Sequence, residues 1–257
     1  MQSYLEMTGV CKTYEIYGTQ IKALDKANIR VKKGTVHGLL GENGAGKSTL
    51  MKILGGIEKM DAGTICFKGQ EVELKNASQA AALGIGMVHQ HFSLIEEFTV
   101  GENVVLGIEP TGFPGIINTK RVQEAVTKVA EECGFELDLE AKVGSLSMGQ
   151  RQKVEILRIL YSNSELLIFD EPTSVLVEQE IESLLNTISL LKKQGKTIIY
   201  ISHKVEEILK ITEEVTVLRA GKTVETGGTK TLNAEKLVQM MVGKHIPLGV
   251  QKELQKA

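Results

Sequence analysis

The chain has 257 residues, enough for one large α/β domain with its own core, or for a core with a smaller inserted subdomain. Apolar residues make up 42% and charged residues 24%, a composition that excludes disordered and fibrous proteins. The formal net charge is −2 and no block of like charges occurs, so charge gives no support to nucleic-acid binding. We therefore expect an ordinary globular protein with no nucleic-acid partner.

The cysteines, the first residues and the apolar runs predict where in the cell the protein is found. Cys11, Cys66 and Cys133 are far apart and form no C-x-x-C pair, which favours a reduced, cytoplasmic-side location. The first residues lack the basic region, apolar stretch and cleavage site of a secretory signal. Apolar runs stay far below the about 20 residues that cross a bilayer. We expect any membrane association to be peripheral.

Strand and helix patterns alternate along the chain. Short apolar runs separated by glycine indicate strands in the first third. Helical periodicity dominates residues 92–158, which indicates a helical insert, and alternation then resumes. This pattern predicts a buried parallel sheet with helical crossovers. The predicted strands are Tyr4 to Val10, Ala27 to Val31, Val36 to Leu40, Thr64 to Phe67, a strand ending at Val88, Leu166 to Phe169, Thr197 to Ile201 and Val215 to Leu218. One predicted helix runs from after Gly46 through Leu54, and the others cover Ser78 to Leu83, Arg121 to Cys133, Met148 to Tyr161, Glu178 to Lys193, Lys204 to Lys210 and Asn233 to Val242.

Residues 41–48, GENGAGKS, match the G-x-x-x-x-G-K-[ST] pattern of a phosphate-binding loop between a predicted strand and a predicted helix. Glycines let successive N–H groups point at one anion, and the helix N-terminus adds its positive dipole. Lys47 would neutralise the β- and γ-phosphates, and the Ser48 hydroxyl would bind Mg²⁺. A chance match to a glycine-rich turn has a probability on the order of one in a hundred. The predicted nucleotide-binding residues of this segment are Gly41, Asn43, Gly44, Ala45, Gly46, Lys47, Ser48 and Thr49.

Two carboxylates follow the apolar run from Leu166 to Phe169, at the carboxyl end of a predicted buried strand. Ligands of α/β sheets bind at this edge. We predict that Asp170 holds Mg²⁺ through water and that Glu171 is the base toward the water that attacks the γ-phosphate. The alternative is an acidic helix cap after a core strand, and the phosphate-binding loop favours the catalytic interpretation.

The segment LSMGQ at residues 146–150 precedes a long helical pattern, so Ser147 is a predicted N-cap whose hydroxyl and neighbouring N–H groups could hold an anion. By itself the segment describes only a capped helix. Lying shortly before the acidic strand end, it also resembles the L-S-G-G-Q signature of the ABC ATPase family, with Met148 at the position of the first glycine.

Three further residues fall, in order, at positions that resemble the family pattern. Gln90 resembles the Q-loop glutamine, His203 the switch histidine and Tyr14 the adenine-stacking aromatic residue. Singly, each fits a structural role as well: a polar residue at a strand end, a histidine capping a helix, a core tyrosine. Their occurrence together favours the functional interpretation. The resemblance covers residues 3–243.

The resemblance implies an α/β fold with a P-loop NTPase (RecA-like) core, an N-terminal antiparallel β subdomain and an inserted α-helical subdomain. One ATP-binding domain would span residues 1–243. Its core and β subdomain would comprise 1–91 and 159–243, and its helical subdomain 92–158. Residues 244–257 would be a tail or a linker stub.

The resemblance also implies ATP and Mg²⁺ as cofactors and a head-to-tail dimer, formed with itself or with a second ATP-binding domain. Ser147, Gly149 and Gln150 would contact the partner's nucleotide. Gln90 would contact Mg²⁺ and the attacking water, and would link the site to the helical insert. His203 would contact the γ-phosphate.

The runs GIGMVHQHF at 84–92 and VEIL at 154–157 resemble ATPases of bacterial importers for simple sugars and nucleosides. This likeness implies transmembrane permease subunits, an extracytoplasmic substrate-binding protein and a peripheral position on the cytoplasmic face of the membrane. Such subunits often carry two cassettes in one chain. The chain would then be a single-domain relative or the N-terminal half of a longer protein.

Two departures from the family pattern leave alternatives open. Met148 adds bulk where backbone must approach phosphate, and Val177 stands where the family commonly has an aspartate. One alternative is therefore an ATP-binding gating module with weak hydrolysis, against which Glu171 argues. Another is a soluble ABC ATPase of translation or DNA repair, although the coiled coil, basic arm or zinc-binding cysteines of such proteins do not occur in the sequence.

Overall fold

The computed structural model describes residues 3–243 except 91, 109, 110, 114, 115 and 118. The predicted tail at 244–257 lies outside the described residues. The described part of the chain forms twelve strands and eight α-helices. The strands are β1 (Leu5–Ile16), β2 (Thr19–Val31), β3 (Val36–Leu40), β4 (Ala62–Phe67), β5 (Gln70–Glu71), β6 (Ile85–Val88), β7 (Thr111–Phe113), β8 (Ile116–Ile117), β9 (Leu166–Asp170), β10 (Thr197–Ser202), β11 (Glu214–Arg219) and β12 (Lys222–Gly228). The helices are α1 (Lys47–Leu54), α2 (Ala77–Ala82), α3 (Val100–Val105), α4 (Thr119–Glu132), α5 (Met148–Tyr161), α6 (Glu178–Lys193), α7 (Val205–Ile211) and α8 (Ala234–Val242).

A six-stranded sheet in the order β12-β11-β3-β10-β9-β6 forms the centre of the molecule. The strands from β11 to β6 are parallel, and β12 is antiparallel to β11. Every residue of β3, β9 and β10 is buried, which explains their largely apolar sequences. The predicted α/β class is confirmed. Because these strands are parallel, their carboxyl ends meet at one edge of the sheet, where the predicted phosphate-binding loop, Asp170, Glu171 and His203 are found.

An antiparallel sheet in the order β2-β1-β4-β5 covers the N-terminal part of the chain. Strands β1 and β2 are longer than the sequence predicts, because their outer halves are exposed and polar and are held as strands by pairing with each other. Strand β12 was not predicted for the same reason, since KTVETGG lacks an apolar alternation. Helix α3 was also not predicted; its Thr99 and Glu102 form a capping box around a segment too short for clear periodicity.

The central sheet separates two apolar clusters. Neighbouring residues of one strand face opposite sides, so Leu39 packs with α1 and the antiparallel sheet, and Leu40 packs with the helical side. Helices α3, α4 and α5 supply Val104, Val126 and Val154 to the same cluster as Leu40. The helical segment is therefore packed onto the central core, and the predicted subdomain boundaries stay predictions. Within the described ranges, no helix combines the length and the apolar character that a bilayer span requires.

Candidate functional site

The predicted phosphate-binding loop joins the end of β3 to the start of α1, and close backbone packing fixes its shape. Gly46 has a φ of 102°, and a Cβ there would lie 2.7 Å from the carbonyl oxygen of Ala23. A Cβ on Gly41 would lie 2.4 Å from the carbonyl oxygen of Leu218. Both positions therefore require glycine. Of the other predicted residues, Ala45 is buried, Asn43 and Gly44 are exposed, and Ser48 and Thr49 are half-buried in the first turn of α1.

The Lys47 side chain is 4% exposed and turns back over the loop. Its ammonium donates to the carbonyl oxygens of Gly41 at 2.8 Å and Glu42 at 3.1 Å. It also lies 3.4 Å from Oε1 of Glu171. An ammonium has three N–H donors, so these three oxygens account for all of them. Lys47 is thus a buried, fully engaged cation at the mouth of the loop.

Ser48 and Asp170 meet across the sheet edge, where the Ser48 hydroxyl donates to Oδ1 of Asp170 at 3.1 Å. Burial raises the pKa of Asp170; the Ser48 hydrogen bond opposes that rise and the Glu171 charge adds to it. A buried carboxylate beside a hydroxyl suits a small hard cation, which would relieve the cost of the buried charge. In the part of the chain that the structure describes, no cluster of three or more His, Cys, Asp or Glu is present. A site with one carboxylate fits Mg²⁺, which takes its other ligands from phosphate and water.

Glu171 lies between the Lys47 ammonium and the His203 imidazole. Its Oε2 is 3.3 Å from Nδ1 of His203, on the side opposite Lys47. Its φ of 46° is left-handed, and its N–H donates to the carbonyl oxygen of Ile201 at 3.1 Å, which anchors this uncommon conformation. Glu171 and His203 meet because they follow β9 and β10, which are neighbouring parallel strands. We name Lys47, Ser48, Asp170, Glu171 and His203 the strand-end site.

Gln90 and Tyr14 lie in less enclosed surroundings. Gln90 is exposed and follows β6, in which Val88 is paired with Phe169 of β9, so Gln90 lies at the same sheet edge as the strand-end site. Tyr14 lies half-buried in β1, and Nζ of Lys12 is 5.3 Å from the centre of its ring. A cation over the ring is a favourable contact of its own.

The predicted signature residues lie at the N-terminus of α5. Ser147 caps the helix by accepting from the N–H of Gln150 at 3.2 Å, and the Gln150 side chain accepts from the N–H of Ser147 at 2.9 Å. Oε1 of Glu180, from α6, accepts from the N–H of Gly149 at 3.0 Å and from the Ser147 hydroxyl at 3.2 Å. The anion-binding groups of this segment are therefore bonded to a carboxylate of the same chain.

The structure does not bring the signature segment, residues 147–150, into the strand-end site. Across the described residues, no hydrogen bond or ion pair joins these two groups. The connection is indirect, because the buried amide of Gln152 donates to the carbonyl oxygen of Pro172 at 2.8 Å, one residue after Glu171. The sequence did not reveal Gln152, Glu180 or Glu207, the last a buried residue of α7 whose carboxylate accepts from the Thr173 hydroxyl at 2.8 Å. The first and last could have been noticed as polar residues within helical apolar patterns.

Comparison with known proteins matches this geometry to a family. A family model described as ABC transporter matches residues 24–174, from β2 to just beyond β9. The chain belongs to the ABC transporter family. The Guanosine import ATP-binding protein NupO of Bacillus subtilis is 43% identical over 252 residues, which cover 98% of this chain and 48% of that protein. The Ribose import ATP-binding protein RbsA of Caldanaerobacter subterraneus subsp. tengcongensis is 41% identical over 246 residues, covering 96% and 49%.

A solved ABC cassette supports the same fold. That cassette, solved as a dimer in a post-hydrolysis state bound to ADP and Pi, superposes on this chain with a TM-score of 0.76 at 25% identity. The superposition covers 89% of this chain and 100% of the solved cassette. The predictions of an ABC ATPase, and of a likeness to importers of nucleosides and simple sugars, are confirmed. The cassette described here spans about half the length of the curated relatives that it matches.

Proposed function

We propose that this chain is an ATP-hydrolysing cassette that drives solute import. The observation that carries the proposal is the Glu171 carboxylate, held within 3.4 Å of Lys47 and 3.3 Å of His203 at the carboxyl edge of a parallel sheet. A general base must lie within reach of the water that it activates, in a site that stabilises developing negative charge. Glu171, beside the Lys47 ammonium and the His203 imidazole, fits that description.

The phosphate-binding loop holds the nucleotide. Its N–H groups, including those at the N-terminus of α1, donate to the phosphate oxygens, and Lys47 exchanges its present carbonyl partners for the β- and γ-phosphates. Tyr14 stacks against the adenine. His203 contacts the γ-phosphate, and Glu171 takes a proton from the attacking water. The residues proposed to bind nucleotide are Tyr14, Gly41, Asn43, Gly44, Ala45, Gly46, Lys47, Ser48 and Thr49.

Ser48 and Asp170 would hold Mg²⁺, with Gln90 at the adjoining strand end. The cation would neutralise negative charge on the phosphates. The buried Asp170, 3.1 Å from the Ser48 hydroxyl, supports this assignment because its charge needs a partner in the core. Gln90 follows β6 and so lies next to the strand that carries Asp170.

The complete site forms between two cassettes. Ser147, Gly149 and Gln150 serve a nucleotide bound to the strand-end site of a second copy or a second ATP-binding domain. The separation of these residues from the strand-end site within one chain supports this arrangement, and a solved cassette of the same fold is dimeric. The N-terminus of α5 can bind the γ-phosphate because its N–H groups and the positive end of the helix dipole attract anions.

The importer assignment rests on relatives named for import of guanosine and ribose. We infer that the chain docks on transmembrane permease subunits at the cytoplasmic face of the membrane, as a peripheral subunit, and that a substrate-binding protein outside the cytoplasm delivers a nucleoside or a simple sugar. The cassette would be one half of a tandem ATPase, or a single-cassette relative that pairs with another.

Release of phosphate from ATP tests the proposal. Wild-type chain should hydrolyse ATP, and Glu171→Gln should lower kcat by about 10²–10⁴-fold because it removes the base and keeps the side-chain shape. Glu178→Gln, an exposed glutamate at the start of α6, is the matched control and should keep wild-type turnover. Equal, near-zero rates in wild type and Glu171→Gln would rule out hydrolysis, and ATP binding without turnover would favour a gating module instead.

A further inference from the structure

The carboxylate of Glu207, in α7, is buried and meets four donors. Its Oε1 accepts from the Thr173 hydroxyl at 2.8 Å and lies 3.2 Å from Nζ of Lys204. Its Oε2 accepts from the Tyr200 hydroxyl at 2.8 Å and the Ser202 hydroxyl at 3.1 Å. We name Glu207 and these four partners the Glu207 cluster.

Burying a charged cluster of this kind in a core costs folding free energy. A buried carboxylate destabilises a fold unless its oxygens are fully bonded, and apolar side chains of similar size often fill the same space with no loss of stability. Burial, together with the nearby Glu207 charge, raises the pKa of Tyr200 above its ordinary range, so the tyrosine keeps the proton that it donates. Complete bonding offsets that cost, so stability alone does not require a carboxylate at this position.

The members of the cluster flank two residues of the strand-end site. Thr173 follows Glu171 by two positions in the chain, and Ser202 and Lys204 stand on either side of His203. The Ser202 hydroxyl oxygen also accepts from the N–H of Lys204 at 3.0 Å, which closes a turn around His203. One carboxylate therefore holds both the segment after β9 and the turn after β10.

We propose that Glu207 is a positioning residue that holds Glu171 and His203 at the separation that ATP hydrolysis requires, an inference that rests on the function proposed above. Glu207 does not touch the reacting groups itself. It acts through Thr173 on the Glu171 side and through Ser202 on the His203 side. The two segments belong to separate strand ends. Without this carboxylate they would keep the pairing of β9 with β10, the bond from the Glu171 N–H to the Ile201 carbonyl oxygen and the longer bond, 3.4 Å, from Nζ of Lys204 to the Thr173 hydroxyl.

Thr173 offers the sharpest test, because Thr173→Val removes the hydroxyl and keeps the side-chain shape. Since a displacement of about 1 Å costs about 100-fold in rate, we expect kcat to fall roughly 10- to 100-fold. The Kd for the fluorescent nucleotide TNP-ATP should stay within about twofold of wild type, because phosphate binding relies on the loop at Lys47. Thr173→Ser keeps the hydroxyl and should restore wild-type turnover.

Two further variants separate positioning from stability. Thr212→Val removes a buried hydroxyl of the same kind, which donates to the carbonyl oxygen of Ile208 at 2.8 Å, and should lower Tm and leave kcat unchanged. Glu207→Gln should lower kcat at least as much as Thr173→Val; if it does not fold, the Thr173 pair still decides.

The kinetic outcomes are distinct. Low kcat with unchanged TNP-ATP affinity in Thr173→Val, rescued in Thr173→Ser, supports the positioning role. Wild-type kcat in Thr173→Val overturns it and leaves the ATPase proposal intact. A wild-type chain without ATP turnover overturns both.

Discussion

The strand-end site and the signature segment differ in how they are built. The former joins residues at two strand ends, β9 and β10, with residues of one helix, α1; all but the exposed His203 are buried or half-buried, and they contact one another at 3.1–3.4 Å. The latter is one continuous turn of α5, largely exposed, whose N–H and hydroxyl groups are bonded to Glu180 of the neighbouring helix. The sheet thus assembles one half of the proposed site before nucleotide arrives, whereas the other half is occupied by the chain's own carboxylate.

The largest expected effect follows from breaking the preassembled half. Lys47→Ala removes the buried ammonium that faces Glu171, and kcat/KM for ATP should fall about 10³-fold, or about 4 kcal/mol, because a positioned cation at the developing charge is lost. Lys52→Ala is the control, because Lys52 is exposed on the same helix. Phosphate release over a range of ATP concentrations gives both values. A loss shared by the control would show that α1, and not the ammonium, is responsible.

Much of the strand-end site could be predicted from the sequence, because its residues directly follow strongly patterned strands. The predicted strand Val36 to Leu40 and the predicted helices Met148 to Tyr161 and Glu178 to Lys193 agree with the structure at both ends. In each, the apolar pattern and the terminal residues favour the same bounds. A motif confined to a few consecutive residues is visible without knowledge of tertiary contacts.

The contacts that the sequence could not reveal are long-range and polar. Glu180 reaches Gly149 from a helix that begins almost thirty residues later along the chain, and nothing in the pattern of α6 marks it among other glutamates. Glu207 lies among partners from β10 and from the segments that follow β9 and β10, which the parallel pairing of these strands brings together. Strand β12 depends on β11 for its hydrogen bonds. Side-chain pairing across elements is set by tertiary packing, which local patterns do not encode.

Acid should weaken the sheet beneath the strand-end site. His37 of β3 is fully buried; Nε2 is 2.8 Å from the Thr216 hydroxyl, and Nδ1 has no hydrogen-bond partner among the described residues. Burial lowers the pKa of His37 from 6.5 to about 4, with Glu214 acting to raise it and Lys32 to lower it further. The stability that the neutral His37 contributes is therefore complete above pH 6.5, the pKa of the imidazole in the unfolded chain, and is lost as the pH falls toward 4.

His37→Gln keeps a polar group near Thr216 and cannot titrate. Between pH 7 and pH 4 the wild type should lose about 3 kcal/mol of unfolding free energy more than this variant, because only the wild type must expose and protonate the imidazole. Urea unfolding at both pH values measures the difference. Parallel losses in the two proteins would mean that other groups govern acid unfolding. The signature segment, which rests on no buried histidine, should be unaffected by this change.

Removing the carboxylate that is bonded to the signature segment should strengthen the proposed dimer, whereas the preceding changes weaken activity or stability. Glu180→Ala removes the carboxylate from Gly149 and Ser147, so a partner's nucleotide no longer has to displace it. Net hydrogen-bond energies of about 1 kcal/mol predict roughly fivefold tighter ATP-dependent dimerisation. Sedimentation of the double variant with Glu171→Gln, at increasing ATP, measures this. Glu182→Ala carries the same charge change on the exposed face of α6, and equal dimerisation in both variants would contradict the displacement.

The smallest effect concerns the cap that α6 lacks. Ser147 and Gln150 cap α5 reciprocally, whereas α6 begins after Val177, which has extended backbone angles but no side-chain acceptor. Only half of a capping box is present there, because Glu180 accepts from the Val177 N–H at 3.3 Å. Val177→Thr preserves the branched shape at an exposed position and adds the missing hydroxyl acceptor.

An N-cap threonine stabilises a helix by about 1 kcal/mol relative to an apolar residue, which in a chain of this size raises Tm by about 2–4 °C. Val177→Ala, which adds no acceptor, should leave Tm close to wild type. Thermal unfolding of wild type and the two variants measures the difference in Tm. Equal Tm values for Val177→Thr and Val177→Ala would mean that the start of α6 gains nothing from a further hydrogen-bond acceptor beyond Glu180. Because a threonine cap competes with neither Gly149 nor Ser147 for Glu180, the ATP-dependent dimerisation of Val177→Thr should match that of wild type.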